Sequence, residues 1–429
     1  MFLYHPSQQN CLEATDAMNE QDVKSRGITV RRADFPSLKR THHGFPLAYL
    51  DGPAGTQVPQ QVIDAISHYY TTYNANTHGH FITTIESDRM LEETRQTVAA
   101  FLGAPGGKSI SFGANMTTLN FSLSSAFGRS FQRGDEIVIT ELDHEANRGP
   151  WLALRDQGII VREAAVRHDA TLDYDDFREK INERTQLVAM GLASNAFGTV
   201  NDVGRIREIT ARYGALLLVD AVHFAPHFPV DVVAMDVDLL LCSAYKFYGP
   251  HVGILYAREG LLDHLATDRL RTQDQRAPYR IETGTLNHAA IAGVRAAVEY
   301  IAALGTGTDL RSRIVDGMQI LGCHERALGT MLYHGLKGIP KVRVYGQSFD
   351  VPHRAPTVSF TVDGKKAADV SAHLAERGIC TWDGHFYAIR PMEVMGLLDR
   401  GGVTRVGISL YTTEEEVTRL LNEIRHLAK

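Results

Sequence analysis

The chain has 429 residues, 44% of them hydrophobic and 22% charged, the proportions of an ordinary folded protein and too long a chain for one compact core, so two domains are expected. A formal net charge of −6 argues against an electrostatic nucleic-acid binder. The four cysteines, Cys11, Cys242, Cys323 and Cys380, are scattered without CxxC spacing, which fits a reducing compartment and neither a disulfide framework nor a zinc site.

Along the chain, MFLYHPSQQNCLEATDAMNEQDVK lacks a basic segment followed by an apolar core, so no secretory leader is expected. The apolar runs are broken by Asp, His or Gly before the roughly 20 residues that a membrane helix needs. These points set the expectation of a cytoplasmic protein without a membrane span. Residues 1–27 read as a polar stretch within an N-terminal extension, residues 1–45, that packs with the smaller domain. SDRMLEETRQTVAAFLGA reads as an amphipathic helix capped by Ser87 and stopped at Gly103. Short β-rich runs follow: SISFG, EIVIT, GIIVREAAV, QLVAMGLAS, ALLLVD, DLLLCS and VGILYA. Helical stretches such as FREKINER and VGRIREITARYG lie between most of them. This alternation predicts βαβ units, hence an α/β fold with a large, mostly parallel sheet covered by helices on both faces over residues 46–295. From 296 to 429 the pattern changes to a smaller α+β unit. Gly305-Thr306-Gly307 follows a helix rather than a strand and so fails the dinucleotide fingerprint.

Two of the apolar runs end in charge: Leu216–Val219 leads into Asp220, and Leu239–Cys242 leads to Lys246. Ligands of open parallel sheets bind outside the carboxyl ends of the strands, so both residues are expected to face one crevice. A lysine out of water has a lowered pKa and can condense with an aldehyde. A carboxylate beside a pyridine nitrogen keeps it protonated, which makes pyridoxal phosphate an electron sink. The remaining parts of such a site can be read as well. SFGANMTTLNFSL is a strand, a turn and a helix start, whose N–H groups at Ala114 and Asn115 would suit a phosphate. Ser243 and Tyr245 offer hydroxyls beside the lysine, His144 follows EIVIT where an imidazole could stack on a flat ring, and Asn195 follows another strand with an amide to donate.

The segments DHEANRGPW, SNAFGTVND, VDAVHFAPHFPVDV, CSAYKFYGPHVGILY, ETGTLN and RVGISLYTTEEEV together resemble the class V aminotransferase family, and within it the cysteine desulfurase and selenocysteine lyase branch. The likeness spans roughly residues 45–420. It implies a pyridoxal-phosphate-dependent transferase fold with a large and a small domain, acting as a homodimer on a small amino acid. It also implies roles: Lys246 bonds the cofactor aldehyde, Asp220 pairs with the pyridine nitrogen, and His144 stacks on the ring. Asn195 lies near the phenolic oxygen, Ala114, Asn115, Ser243 and Tyr245 hold phosphate, Thr285 reaches the neighbouring subunit's phosphate, and Arg405 clamps the substrate carboxylate.

The chain departs from that branch in the segment RGICTWDGHFYAIRP. Aligned on Gly384 and His385, Tyr387 stands where desulfurases carry the cysteine that accepts sulfur, and Trp382 where they carry an arginine. Cys380 lies seven residues earlier and is a candidate substitute. His223 and Tyr245 replace a glutamine and a histidine, and both changes are similar to kynureninases; His223 can contact the cofactor oxygen. In the loop YNANTHGHF, Asn76 and His78 are candidates for substrate contact, as are His385 and Tyr387, which either relay a proton or shape the pocket. Ser243 and Lys246 form an SxxK pattern without its companion motifs, and the acids near His223 and His227 read as turn residues, so no metal is expected. The first expectation is desulfurase-like C–S or β-lyase chemistry. The alternatives are transamination, epimerisation or kynureninase-type cleavage on the same fold, and a non-catalytic protein that kept the cofactor fold.

Overall fold

The first sheet is built from the apolar runs, and its inner strands send alternate side chains into two different cores. Its seven strands are β1 (Ile110–Gly113), β2 (Glu136–Thr140), β3 (Ile160–Ala164), β4 (Thr185–Gly191), β5 (Leu216–Asp220), β6 (Leu239–Ser243) and β7 (Gly253–Ala257). This is a computed structural model, and it describes residues 31–429. The strand order is β1-β7-β6-β5-β4-β2-β3. The run from β3 to β6 is parallel, whereas β7 is antiparallel to both β6 and β1. The connection between Ser243 and Gly253 explains the reversal, because it is too short to hold the crossover that a parallel return requires.

Leu217, Val219 and Leu240 face a core shared with helices α1 (Gln60–Thr72) and α2 (Ile82–Leu102). Leu218, Leu239 and Leu241 face the opposite core with α3 (Met116–Gly128) and α4 (Glu145–Leu152). That period of two is what a strand buried on both faces dictates. Helix α5 (His288–Ala302) joins the first of these cores. Helix α2 begins at Ile82, earlier than its sequence suggests. Ser87 does not cap it: the residue lies inside the helix, buried, with Oγ donating to Tyr73 O at 2.9 Å. The expected stop at Gly103 stands, with φ of +63° closing the last turn.

Helix α6 (Leu310–Lys337) leads to a second sheet of β8 (Val342–Tyr345), β9 (Thr357–Val362), β10 (Trp382–Gly384) and β11 (Val403–Gly407), antiparallel in the order β8-β9-β11-β10. Val358, Phe360 and Val406 pack there against Leu420 and Ile424 of α7 (Glu414–Leu427), which starts at a Thr413–Glu416 capping box. Leu50 shares that core, and the segment after it runs between the two sheets: Gly407 N donates to Leu50 O at 2.8 Å. Gly407 is required at this crossing, since a Cβ there would lie 2.1 Å from Pro53 Cδ. Of the N-terminal extension, Arg32 pairs with Glu416 of α7 at 2.6 Å, and the polar stretch 1–27 lies outside the described residues. Among the described residues no helix is long and apolar enough to cross a membrane. Among the described residues Cys242 and Cys380 are free thiols.

Candidate active site

The carboxyl ends of β2, β4, β5 and β6 open onto one pocket, whose walls include His144, Asn195, Asp220, His223, Ser243 and Lys246. Lys246 ends the short turn that follows β6 and is 8% exposed. Its Nζ donates to Pro53 O and, at 3.0 Å, to Ala54 O. Burial, reinforced by the Arg405 charge, pushes its pKa down to about 7, with Asp51 and Asp220 opposing. Asp220 is the last residue of β5 and accepts from Val222 N at 2.9 Å. Burial and then the neighbouring Asp143 push its carboxyl up to about 7, against the Val222 N–H and Lys246.

His144 caps α4: its Nδ1 accepts from Ala146 N at 3.0 Å. Burial, with Lys246 and Arg405 nearby, holds its pKa down at about 3. The ring is therefore neutral and carries its proton on Nε2. Beneath it, Asp143 accepts from Gly191 N at 2.8 Å and Asn147 Nδ2 at 3.0 Å, and burial raises its carboxyl to about 6. His223 bonds Thr357 Oγ1 through Nε2 at 3.0 Å, and its buried Nδ1 has no partner among the described residues. Burial, followed by the charges of His227, Lys246, Arg405 and Arg354, drives its pKa well down.

The turn from β1 into α3 supplies another wall of the pocket. Met116 N donates to Ser243 Oγ at 3.2 Å, and Asn115 caps the helix through Thr118 N at 2.9 Å. Gly253 of β7 packs against this turn so closely that a Cβ would lie 2.3 Å from the Asn115 carbonyl carbon. Ala114 departs from the sequence expectation. It is exposed and outside the pocket walls, because the turn presents Asn115, Met116 and Thr117 instead. Tyr245 lines the pocket and stacks on His251, with ring centroids 4.7 Å apart.

Arg405 stands behind Asn195. It is buried, with Nη1 donating to Asn195 O at 3.1 Å, Nη2 pairing with Asp51 Oδ1 at 3.1 Å, and Nε without a partner among the described residues. Burial lowers its pKa and Asp51 restores it in part. Asn195 does not keep its amide free as expected: Nδ2 donates to Phe386 O at 2.9 Å, which leaves the buried Oδ1 unpartnered. His385 is half-buried and Tyr387 exposed; neither lines the pocket walls, but the Tyr387 ring lies 5.6 Å from that of His144, which does.

Asn76, His78 and Thr285 are exposed and line no wall of this chain's own pocket. His78 N donates to Asp88 Oδ2 at 3.0 Å, so as a substrate contact within its own chain it fails on position. Cys380 lies in the short parallel pairing Ile379–Cys380 with Ala48–Tyr49, and burial, Asp51 and Glu416 raise its thiol pKa. A thiol held protonated is a poor nucleophile, which counts against Cys380 as a substitute sulfur carrier. Asp51 and Asp143 were not read from the sequence. Asp143 stands directly before His144 in the turn that follows β2, a signal that could have found it.

The sequence pattern of the family described as Aminotransferase class-V matches residues 48–420. The chain belongs to that family. It is 32% identical over 414 residues to a cysteine desulfurase of Serratia proteamaculans, covering 93% of this chain and 97% of that one. It is 34% identical over 418 residues to a probable cysteine desulfurase of Mycolicibacterium paratuberculosis, covering 94% of this chain but spanning only 58% of the relative. Among solved structures, an apo cysteine desulfurase from Thermococcus onnurineus superimposes with a TM-score of 0.82 at 28% identity, covering 96% of this chain and 98% of that one.

This class-V family enzyme depends on pyridoxal phosphate, and the pocket fits that group. Among the described residues Asp220 makes no ion pair within 4 Å, and a buried carboxylate without one calls for a cation such as a protonated ring nitrogen. Two further buried polar atoms at the same pocket, Asn195 Oδ1 and His223 Nδ1, lack partners. The start of α3 suits an anion on N–H geometry and dipole together.

Proposed function

We propose that this enzyme cleaves the bond between Cβ and sulfur in a small thiol amino acid such as L-cysteine, releasing the sulfur rather than storing it on a protein thiol. The observation that carries this reading is the Lys246–Asp220 pair at adjacent strand ends, an amine and an acid whose pKa values both lie at about 7. The curated relatives named cysteine desulfurases support the substrate class.

When bound, pyridoxal phosphate supplies the electron sink that stabilises negative charge at the substrate Cα. Asp220 would keep the ring nitrogen protonated, His144 would stack on the ring as a neutral imidazole, and Ser243 with the first N–H groups of α3 would hold phosphate. Lys246, largely unprotonated just above neutrality, would be the residue that bonds the cofactor aldehyde, and its Nζ would take the proton from the substrate Cα. Arg405 would orient the α-carboxylate, and so choose which Cα bond breaks, through the unpartnered Nε or by exchanging Asp51 for substrate. For elimination the stoichiometry is cysteine and water to pyruvate, ammonia and hydrogen sulfide.

A homodimer supports the site. Asn76, His78 and Thr285 lie outside the pocket of their own chain, yet their segments adjoin: Ala75 O accepts from Tyr69 OH at 3.0 Å and lies 3.3 Å from His288 Nδ1, just after Thr285. Phe81 and Ile82, 60% and 67% exposed, extend this side as an apolar face suited to a second copy. Transamination, epimerisation or carbon–carbon cleavage remains the second reading, favoured by Tyr387 where desulfurases have their cysteine.

Two measurements test the proposal. Borohydride reduction of the cofactor-loaded protein should fix the cofactor on Lys246 in peptide mass mapping; an unmodified Lys246 removes the reading. Incubation with L-cysteine should yield sulfide and pyruvate in equal amounts. Alanine in place of pyruvate would instead mean sulfur transfer to an external thiol. A cofactor spectrum that shifts with no sulfide released would favour the second reading.

A further inference from the structure

His385–Ala388 close a tight turn, Ala388 N donating to His385 O at 2.7 Å. Its two central residues, Phe386 and Tyr387, have φ of +53° and +57°. A turn with both central residues left-handed is ordinarily made by Asn-Gly or Asp-Gly, and a bulky aromatic in that region is strained. The turn is nonetheless held on every side. Phe386 O accepts from Asn195 Nδ2 at 2.9 Å, Tyr387 O from Glu145 N at 2.8 Å, and His385 Nδ1 from Tyr387 N at 3.1 Å. Just beyond it, Arg390 pairs with Glu141 at 2.6 Å.

Packing accounts for one of the two aromatics only. Phe386 is 5% exposed, and its ring lies 4.2 Å from the Arg405 guanidinium carbon. Tyr387 is 67% exposed, so burial does not explain it. Glycine would make the same backbone hydrogen bonds with less strain. Strain that the surroundings enforce without a packing return points to function. The Tyr387 ring lies 5.6 Å from that of His144, itself a wall of the pocket.

We propose that Tyr387 donates the proton to the group leaving the substrate Cβ, and so favours substrates whose leaving group departs as sulfide or a thiolate. The assignment rests on the β-lyase reading above. The Cβ–S bond breaks with its electron pair going to sulfur, the Tyr387 O–H proton passes to that sulfur, and the phenolate recovers a proton from water at the exposed rim. Lys246 holds the proton taken from Cα, so the two transfers use different groups and no oxidant.

The test compares L-cysteine with 3-chloro-L-alanine, whose chloride leaves without a proton, in the wild type, Tyr387→Phe and Tyr387→Gly. Loss of the hydroxyl in Tyr387→Phe should lower turnover of L-cysteine about a hundredfold more than that of 3-chloro-L-alanine, the usual scale of a lost general acid. Tyr387→Gly should show the same change of preference, while the cofactor-free protein melts at a higher temperature than the wild type because the strain is relieved. Equal effects on both substrates, or no loss with L-cysteine, overturn the role of Tyr387 alone. A Tyr387→Gly protein that melts no higher than the wild type overturns the strain argument. A wild type inert toward both compounds overturns the β-lyase reading and this assignment with it.

Discussion

Lys246 and Asp220 approach neutrality from opposite directions, and each leaves a mark on stability. The Lys246 pKa falls from 10.5 to about 7, so between those values the unfolded chain holds a proton that the native chain lacks. Native stability therefore rises with pH across that window. Asp220 rises from 3.8 to about 7, so the native chain holds the extra proton and stability from this group falls as pH rises through that window. In the cofactor-free protein the melting temperature should climb from pH 7 toward pH 10, and Lys246→Met should lack that climb, a difference on the order of a few kcal/mol. Parallel curves for the two proteins would show that burial does not lower the amine. Both residues were legible because each ends an apolar run, and an apolar run that ends in charge marks a strand leaving the core. Asp51 was not legible. It reaches Arg405 across the whole length of the chain, and no local pattern records such a pairing.

At the scale of elements, β1 and the loop carrying Thr285 are fastened by one buried pair. Arg95 on α2 meets Glu282 through two bonds of 2.7 Å, and Glu282 Oε1 also accepts from Phe112 N at 2.7 Å. Removing one member leaves the other charge buried and unpaired. Glu282→Ala should therefore cost about 3–5 kcal/mol in urea unfolding; a loss below about 1 kcal/mol would show that the pair is dispensable. The strands themselves were readable because Leu216–Val219 and Leu239–Cys242 are apolar on both faces. The direction of β7 was not, since VGILYA reads alike in either sense and only the brevity of the preceding connection reverses it. The start of α2 was misread because Ser87, with the composition of a cap, is buried and bonded to Tyr73. The turn at Phe386 and Tyr387 was also hidden, as nothing in HFYA resembles a left-handed turn.

For the whole molecule, the two-copy arrangement has a direct test by mixing. Lys246→Ala and Thr285→Ala chains, each impaired alone, should regain activity when recombined, because the hybrid holds one site with both residues intact. A mixture no more active than its parts would mean that Thr285 serves its own chain or none. The segment from Leu50 to Ala54 has a consequence of its own at this scale. One edge supplies the carbonyls that hold the Lys246 amine, and the other presses on Gly407 with no room for a methyl group. Pro53 is thus the shared contact: its carbonyl helps fix the protonation of the lysine, and its ring is the face on which the second sheet closes.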